Sequence, residues 1–228
     1  MALYVIFLLT LVISLLAMWR VKSAYARFSQ MRAVSGYSGA ETAAQILAAS
    51  GIHDVEIVRH DEPLGDRYDP RHKRLVLSEE NYEGTSVAAL GIAAHECGHA
   101  IQHRRAYQPL MWRMAAVKVA TFSSQIVLWL PLLGMFTGLL SGATGLFIMT
   151  VSWGVIMLFN LITLPVEFDA SRRARHILAR MKFIQPGDEA AAVNRMLNAA
   201  AWTYVAALLT SLVYFLWHLL PLLGGRRN

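Results

Sequence analysis

Three long stretches of the chain carry no charged side chain: residues 2–19, 119–166 and 196–223. A helix that crosses a bilayer takes about 20 residues, so the middle stretch is long enough to cross twice. We therefore predict four transmembrane helices. They lie at about residues 2–19, 116–138, 143–165 and 200–222, with a turn between the middle two near residues 141–145.

The composition agrees with a membrane protein. Hydrophobic residues make up 56% of the chain and charged residues 16%, whereas soluble domains average about 25% charged residues. This balance excludes a disordered chain. The single cysteine, Cys97, excludes an intrachain disulfide framework and a cysteine-rich metal site.

The first apolar stretch is expected to be a retained anchor. The triplet Ala24-Tyr25-Ala26 resembles a signal-peptide cleavage site. However, no basic residue precedes the apolar stretch, and Arg20 and Lys22 stand between it and the triplet.

The positions of the basic residues predict the orientation in the membrane. Of the 21 Lys and Arg residues, 13 lie in residues 20–118, six in 166–199 and two in the tail. The positive-inside rule places the first two segments in the cytoplasm. We therefore expect a protein of a bacterial-type inner (plasma) membrane, with its polar segments facing the cytoplasm. The net charge of +6 then reflects orientation and attraction to the bilayer, and we expect neither nucleic acid nor nucleotide as a partner.

The first polar segment has the pattern of a small α+β region. Ser38 and Glu41 form the pattern of a capping box and predict a helix that ends near Ala49. Residues 55–58 and 74–78 read as strands. The second is either an open edge that pairs with an extended peptide or an ordinary buried strand. A helix rich in small residues is predicted to begin at Thr85 or Ser86.

This last helix carries the sequence His95-Glu96-Cys97-Gly98-His99. Histidines four residues apart share one helix face, so both can bind one metal ion, and Glu96 lies near enough to hold a water molecule. Zinc suits these ligands, and catalytic zinc takes three protein ligands and keeps one open position. The alternative is a pair of hydrogen-bonded histidines on a charged helix face.

Two neighbouring residues receive other roles. His99 and His103 form a rival pair with the same spacing, but alanine follows His99 where the motif has glutamate. We therefore expect His103 to be a flanking group near the site. Cys97 lies on the opposite helix face from His95 and is expected to be a small core residue.

Glu167 is the strongest candidate for the third ligand. It follows a predicted span on the same side of the membrane as the histidines. The alternative is a glutamate placed near a helix N-terminus by the helix dipole. Asp169 is a local rival, but it faces away from Glu167, and Arg173 four residues later predicts a surface salt bridge for it. Asp169 is also a candidate for a supporting role near the site.

Residues 95–103 (HECGHAIQH), 67–94 (RYDPRHKRLVLSEENYEGTSVAALGIAA) and 164–174 (LPVEFDASRRA) together resemble the membrane-bound neutral zinc metallopeptidases of the YugP type. The resemblance extends from about Tyr25 to the last span. It implies a membrane zinc protease whose ligands match His95, His99 and Glu167, with Glu96 as general base. A more distant similarity to HtpX and CaaX proteases includes their later E-F-x-A-D motif, in which Ser171 here replaces the final aspartate.

The predicted fold class is a mainly α membrane protein with four transmembrane helices and a small α+β, zincin-like catalytic region on the cytoplasmic side. Residues 1–19 form the first span, and 20–115 form the catalytic segment. Residues 116–165 form the next two spans, 166–199 supply the third zinc ligand, and 200–228 contain the last span and the tail.

The predicted function is that of a zinc endopeptidase with one Zn²⁺ per chain, acting through a zinc-activated water and Glu96. Its substrates are peptides or proteins, including segments of membrane proteins. Tyr107, Arg173 and His176 are candidates to stabilise the oxyanion. The alternative is a catalytically silent scaffold or adaptor that binds zinc for structure. Structural zinc is often held by cysteines, and Cys97 faces away.

Overall fold

The computed structural model describes residues 1–61, 65–137 and 142–224. The described chain is mainly helical and contains one small sheet. In chain order the elements are α1 (Ala2–Phe28), α2 (Gly39–Ala49), β1 (Glu56–His60), β2 (Arg67–Asp69), β3 (Arg74–Ser78), α3 (Glu79–Glu83), α4 (Val87–Arg104), α5 (Gln108–Thr137), α6 (Ala143–Arg180) and α7 (Asp188–Gly224).

Four of the described helices are long and apolar enough to cross a membrane, as the charge-free stretches predict. They are α1, α5, α6 and α7, and many of their large apolar side chains, such as Leu8, Phe122 and Leu209, are exposed in the isolated chain. The expected turn between the second and third spans falls partly on residues outside the described ranges. α6 begins at Ala143.

α6 and α7 are much longer than a helix needs to be to cross a bilayer. α6 has 38 residues and is therefore about 57 Å long, whereas the hydrocarbon core is about 30 Å thick. It continues through Pro165, since neighbouring groups can satisfy the carbonyl that a proline frees in a membrane helix. Residues 166–180 and 188–199 are thus extensions of two spans, where the sequence suggested a separate helical segment.

The polar region is built around α4, which packs against α2, α6 and α7. The capping box at the start of α2 is formed as predicted: the Ser38 hydroxyl accepts from the Glu41 amide, and the Glu41 carboxylate accepts from the Ser38 amide. α4 begins directly after Ser86, whose side chain accepts a hydrogen bond from the Ala89 amide.

The sheet has the strand order β1-β3-β2, with β3 parallel to β1 and antiparallel to β2. β3 is therefore the central strand, and residues 75–78 are buried. Of the two alternatives for residues 74–78, the buried strand is confirmed and the open edge is wrong, because both sides of β3 are paired. The edge strand on the side of α4 is β2.

Gly98 allows the backbones of α4 and α6 to touch. A Cβ atom at this position would lie 2.8 Å from the carbonyl oxygen of Ala170 and 3.1 Å from its Cα. The first distance is shorter than a side chain tolerates, so only glycine fits without moving one helix. This contact brings the histidines of α4 beside Glu167 of α6.

Candidate metal centre

His95, His99 and Glu167 converge at one point. One ligand atom from each residue lies within 4.8 Å of the others, and no second group of three such side chains occurs among the described residues. Glu167 Oε2 is 3.3 Å from His95 Nε2 and 3.6 Å from His99 Nε2. Glu167 is 2% exposed, so these atoms meet almost out of contact with bulk water.

The arrangement fits a zinc ion. Glu167 Oε2 is buried and accepts no hydrogen bond, although two imidazole nitrogens lie nearby. Leaving such an atom unsatisfied is costly. Zinc binds histidine nitrogen and carboxylate oxygen at about 2.0–2.2 Å, which places tetrahedral ligand atoms about 3.3–3.6 Å apart. The separations around Glu167 Oε2 are close to this spacing, and the donor set matches that of catalytic zinc.

The other oxygen of Glu167 is held by Arg113 of α5. Arg113 Nη1 donates to Glu167 Oε1 over 2.8 Å. The guanidinium favours the charged carboxylate, and the bond directs Oε2 towards the two histidines. In the sequence Arg113 is one of the 13 basic residues of 20–118 that predict the orientation in the membrane, and nothing in its position indicates this contact.

A chain of hydrogen bonds fixes the proton of His99. Gln102 Nε2 donates to the carbonyl of Val166 over 2.8 Å and to Asp169 Oδ2 over 2.9 Å. Because these two acceptors assign the amide nitrogen, Gln102 Oε1 is the acceptor 3.0 Å from His99 Nδ1. His99 therefore carries a proton on Nδ1. In its neutral form it directs the lone pair of Nε2 towards Glu167, and this is the tautomer that a metal requires.

Ser171 occupies the equivalent position beside the other histidine. Its hydroxyl lies 3.2 Å from His95 Nδ1, where it can accept the ring proton. Ser171 is the residue that departs from the E-F-x-A-D pattern, and the structure shows that this position still contacts the metal-ligand candidate.

Glu96 is anchored by the edge strand. The Tyr68 amide of β2 donates to Glu96 Oε2 over 2.7 Å, and Glu96 Oε1 forms no hydrogen bond within the described part of the chain. The Tyr68 hydroxyl lies 2.9 Å from His103 Nδ1. Burial raises the pKa of Tyr68 to about 12, so the hydroxyl keeps its proton and can donate to His103. His103 thus supports β2 and lies outside the metal cluster.

Asp169 is placed differently from the prediction. The salt bridge to Arg173 is present, with Arg173 Nε 2.6 Å from Asp169 Oδ2, and Arg172 pairs with the other oxygen. Asp169 itself is 4% exposed, so the expectation of a surface salt bridge is wrong. Its bond to Gln102 makes it part of the hydrogen-bond chain that ends at His99.

Other candidate residues lie away from the cluster. Arg173 and His176 line a basic cavity on the opposite side of α6. Tyr107 does not line the metal cleft. Cys97 is fully buried with Sγ 3.7 Å from the Ala43 carbonyl, and burial raises the pKa of its thiol. The prediction that Cys97 is a core residue is confirmed.

The contacts of Gln102 and Tyr68 were not predicted from the sequence, for different reasons. Gln102 lies three residues after His99, a spacing that places both on one helix face, so this partner could have been found. The Tyr68 contact is made by a backbone amide, for which no side-chain pattern exists.

The cluster opens into a cleft of about 510 Å³. One wall is the β2–β3 hairpin, residues 66–72, and another is the start of α5, with Leu110, Met114 and Val117. Tyr204 of α7 completes the lining. A polar strand edge therefore faces an apolar helix across the candidate metal ligands.

Comparison with known proteins gives a family and a relative that cover nearly the whole chain. The family described as "Putative neutral zinc metallopeptidase" matches residues 3–223. The chain is 42% identical over 214 residues to "Putative membrane protease YugP" of Bacillus subtilis (strain 168), an alignment that covers 94% of this chain and 93% of that protein. No solved structure matches the chain.

Proposed function

The chain belongs to this family of neutral zinc metallopeptidases, and we propose that it is a membrane-anchored zinc endopeptidase. The observation that carries the proposal is the buried Glu167 Oε2, which accepts no hydrogen bond although it lies 3.3 and 3.6 Å from two histidine nitrogens. In this proposal α4, the sheet and the extensions of α6 and α7 form a zincin-like catalytic region.

Each residue of the cluster then has a role. His95, His99 and Glu167 hold the ion, and zinc, when bound, supplies Lewis acidity that activates water and polarises the scissile carbonyl. Glu96 is the general base: its Oε2 is fixed by the Tyr68 amide, so Oε1 is available to take the proton of the attacking water. Glu96 then delivers this proton to the leaving amine.

The edge strand β2 is the proposed docking line for the peptide backbone. Because the Tyr68 amide donates to Glu96, this edge of β2 points away from β3 and towards the cleft. The amide is already occupied, so the group that this edge offers to a substrate backbone is the Tyr68 carbonyl, which points the same way as the amide in an antiparallel strand. An extended peptide that pairs with an exposed strand gains main-chain hydrogen bonds whatever its sequence. Pairing along β2 would carry the scissile bond past the metal ligands.

The alternative, a silent zinc scaffold, has less support. Structural zinc sites usually fill all four positions with protein ligands. Here three ligand-capable side chains meet in the described part of the chain, and the cluster opens into a cleft. An open position beside a carboxylate with a free oxygen is the arrangement that hydrolysis requires.

Replacement of the general base tests the proposal. In detergent-purified protein, Glu96→Gln is expected to retain one zinc ion and to lose peptide cleavage by about 10²–10⁴-fold. Metal analysis and a peptidase assay, with and without chelator, provide the measurements. Glu83→Gln, at an exposed position, is the matched control and should behave like wild type.

The outcomes separate the two functions. Cleavage by Glu96→Gln at the wild-type rate would make the proposed mechanism wrong. Stoichiometric zinc in a wild-type protein that cleaves no peptide, together with loss of the fold on chelation, would favour the scaffold.

We also propose that the site faces the cytoplasm of an inner (plasma) membrane. The supporting observation is the concentration of basic residues in residues 20–118 and 166–199. A periplasm-dependent reporter fused after Ala143 is expected to be active, and the same reporter fused after Gln185 inactive. The reverse pattern would place the site outside the cytoplasm.

A further inference from the structure

A second, smaller cavity adjoins the metal cleft. It has a volume of about 170 Å³ and lies between α1, α4 and α7. Asp66, His95, Glu96 and Tyr204 line both spaces, so the small cavity opens directly onto the reacting atoms. Its remaining walls are mostly apolar: Val21, Ile92, Met196, Leu197 and Ala200.

Two polar groups of this cavity, those of Tyr25 and Asp66, are already satisfied. The Tyr25 hydroxyl donates to Glu80 Oε2 over 2.9 Å. Asp66 accepts from the amide and hydroxyl of Ser78 and from the side chain of Asn81. An occupant therefore meets mostly apolar contacts on the walls, and polar groups where the cavity opens onto the metal cluster and Tyr204.

We propose that this cavity is the specificity pocket for the substrate residue that flanks the scissile bond, and that it selects an apolar side chain the size of leucine, methionine or phenylalanine. The assignment rests on the proposed peptidase function. Because His95 and Glu96 form one wall, a side chain that fills the cavity must begin next to the reacting carbonyl.

The volume sets the size of the side chain. An apolar protein cavity of about 150 Å³ holds a benzene molecule, so a cavity of about 170 Å³ accepts a leucine or a phenylalanine ring. Each missing methylene group in such a pocket lowers kcat/KM by about 10-fold or more. Alanine at the same substrate position should therefore be a poor choice.

Two substitutions change the pocket in opposite directions. Ala200→Phe fills it from α7, and Ile92→Ala enlarges it from α4. Ala26→Phe is the control for Ala200→Phe, since Ala26 lies on an exposed face of α1 and lines neither cavity. The assay uses zinc-loaded protein and a peptide library varied at both residues that flank the cleaved bond, with cleavage sites read by mass spectrometry.

The wild-type protein and Ala26→Phe are expected to prefer leucine over alanine at one flanking position by about 10-fold or more. Ala200→Phe should reduce this ratio to about one, whereas Ile92→Ala should move the preference towards phenylalanine and tryptophan. If Ala200→Phe does not fold, the shift in Ile92→Ala decides the assignment.

A binding measurement separates this assignment from the proposed function. Fluorescence anisotropy of labelled peptides on zinc-free Glu96→Gln protein should show the same preference for leucine, and its loss on adding Ala200→Phe. If the zinc-loaded wild-type protein cleaves no peptide but this binding pattern is observed, the peptidase function would be overturned and the pocket supported. Cleavage without a flanking preference, or a preference that neither pocket substitution changes, would overturn the pocket and leave the peptidase intact.

Discussion

The two sides of α6 each bury a carboxylate, and different groups surround them. Glu167 and Asp169 are 2% and 4% exposed. Both oxygens of Asp169 are occupied by two arginines and a glutamine. Glu167 has one oxygen on an arginine, while the other faces two imidazole nitrogens without a hydrogen bond.

The surroundings of the two carboxylates identify Glu167 as the metal ligand more clearly than burial does, because both carboxylates are buried. The hydrogen bond to Gln102 puts a proton of His99 on Nδ1, so in the neutral ring that a metal binds, Nε2 presents a lone pair to Glu167 Oε2. Two electron-rich atoms held in a buried site repel each other unless a cation lies between them. Asp169 meets cations of the protein itself, and thus needs no metal.

Neutralising each carboxylate in turn is the most direct test of which one binds the metal. Glu167→Gln and Asp169→Asn each remove one buried charge from the same helix and nearly preserve shape. Glu167→Gln is expected to lose zinc, with an affinity loss well beyond the 10–100-fold typical of partners outside the ligand set, and to lose cleavage. Zinc titration against a chromophoric competitor measures the affinities.

Asp169→Asn is expected to retain zinc and to lose stability instead. Hydrogen bonds to charged groups contribute about 1.5–3 kcal/mol each, and the neutral amide of the variant would keep only part of them. Thermal unfolding of the zinc-free proteins measures this loss. Complete zinc loss in folded Asp169→Asn, with wild-type affinity in Glu167→Gln, would reverse the two roles.

Gln102 connects the surroundings of Asp169 to His99. Its replacement tests whether this connection affects metal binding. Gln102→Leu preserves volume but removes the acceptor of the His99 Nδ1 proton and one donor to Asp169. Zinc affinity is expected to fall by about 10–100-fold. Gln45→Leu, at an exposed position of α2, is the control and should leave the zinc affinity unchanged.

An unchanged affinity in Gln102→Leu would show that packing alone orients His99. The His99 ring is buried, so packing could hold it in place. In that case the contacts of Asp169 would not influence the zinc affinity of the site that contains Glu167.

The sequence predicted the local part of the site well. His95, Glu96 and His99 lie on one helix, where spacing alone fixes their faces. The start of α4 at Ser86 and the capping box of α2 are equally local, because the side chain and the amide it binds are three residues apart. The four spans follow from length and hydropathy.

The contacts between elements were harder to predict. The partnership of Arg113 with Glu167 joins residues 54 positions apart, and it depends on how α5 packs against α6. The strand order places β3 in the centre of the sheet, which periodicity cannot show. The burial of Asp169 follows from the continuation of α6 through Pro165 beside α4, where the sequence suggested a helix exposed on one face.

The smallest expected effect concerns Ser171, which faces His95 as Gln102 faces His99. Ser171→Ala removes one neutral hydrogen bond of 3.2 Å. Such a bond contributes about 0.5–1.5 kcal/mol, which corresponds to about a 2–10-fold loss of zinc affinity. The same zinc titration measures it, and Ser23→Ala, at an exposed position of α1, is the control.

The size of this loss shows how evenly the two histidines are supported. The Gln102 amide is itself held by Val166 and Asp169, whereas in the described part of the chain the Ser171 hydroxyl has His95 alone as a side-chain partner. The support of His99 is therefore the more rigid, and Gln102→Leu should weaken zinc binding more than Ser171→Ala. The opposite order would mean that the metal depends chiefly on the Ser171 side of α6, and that the bonds of Asp169 stabilise the fold without positioning a ligand.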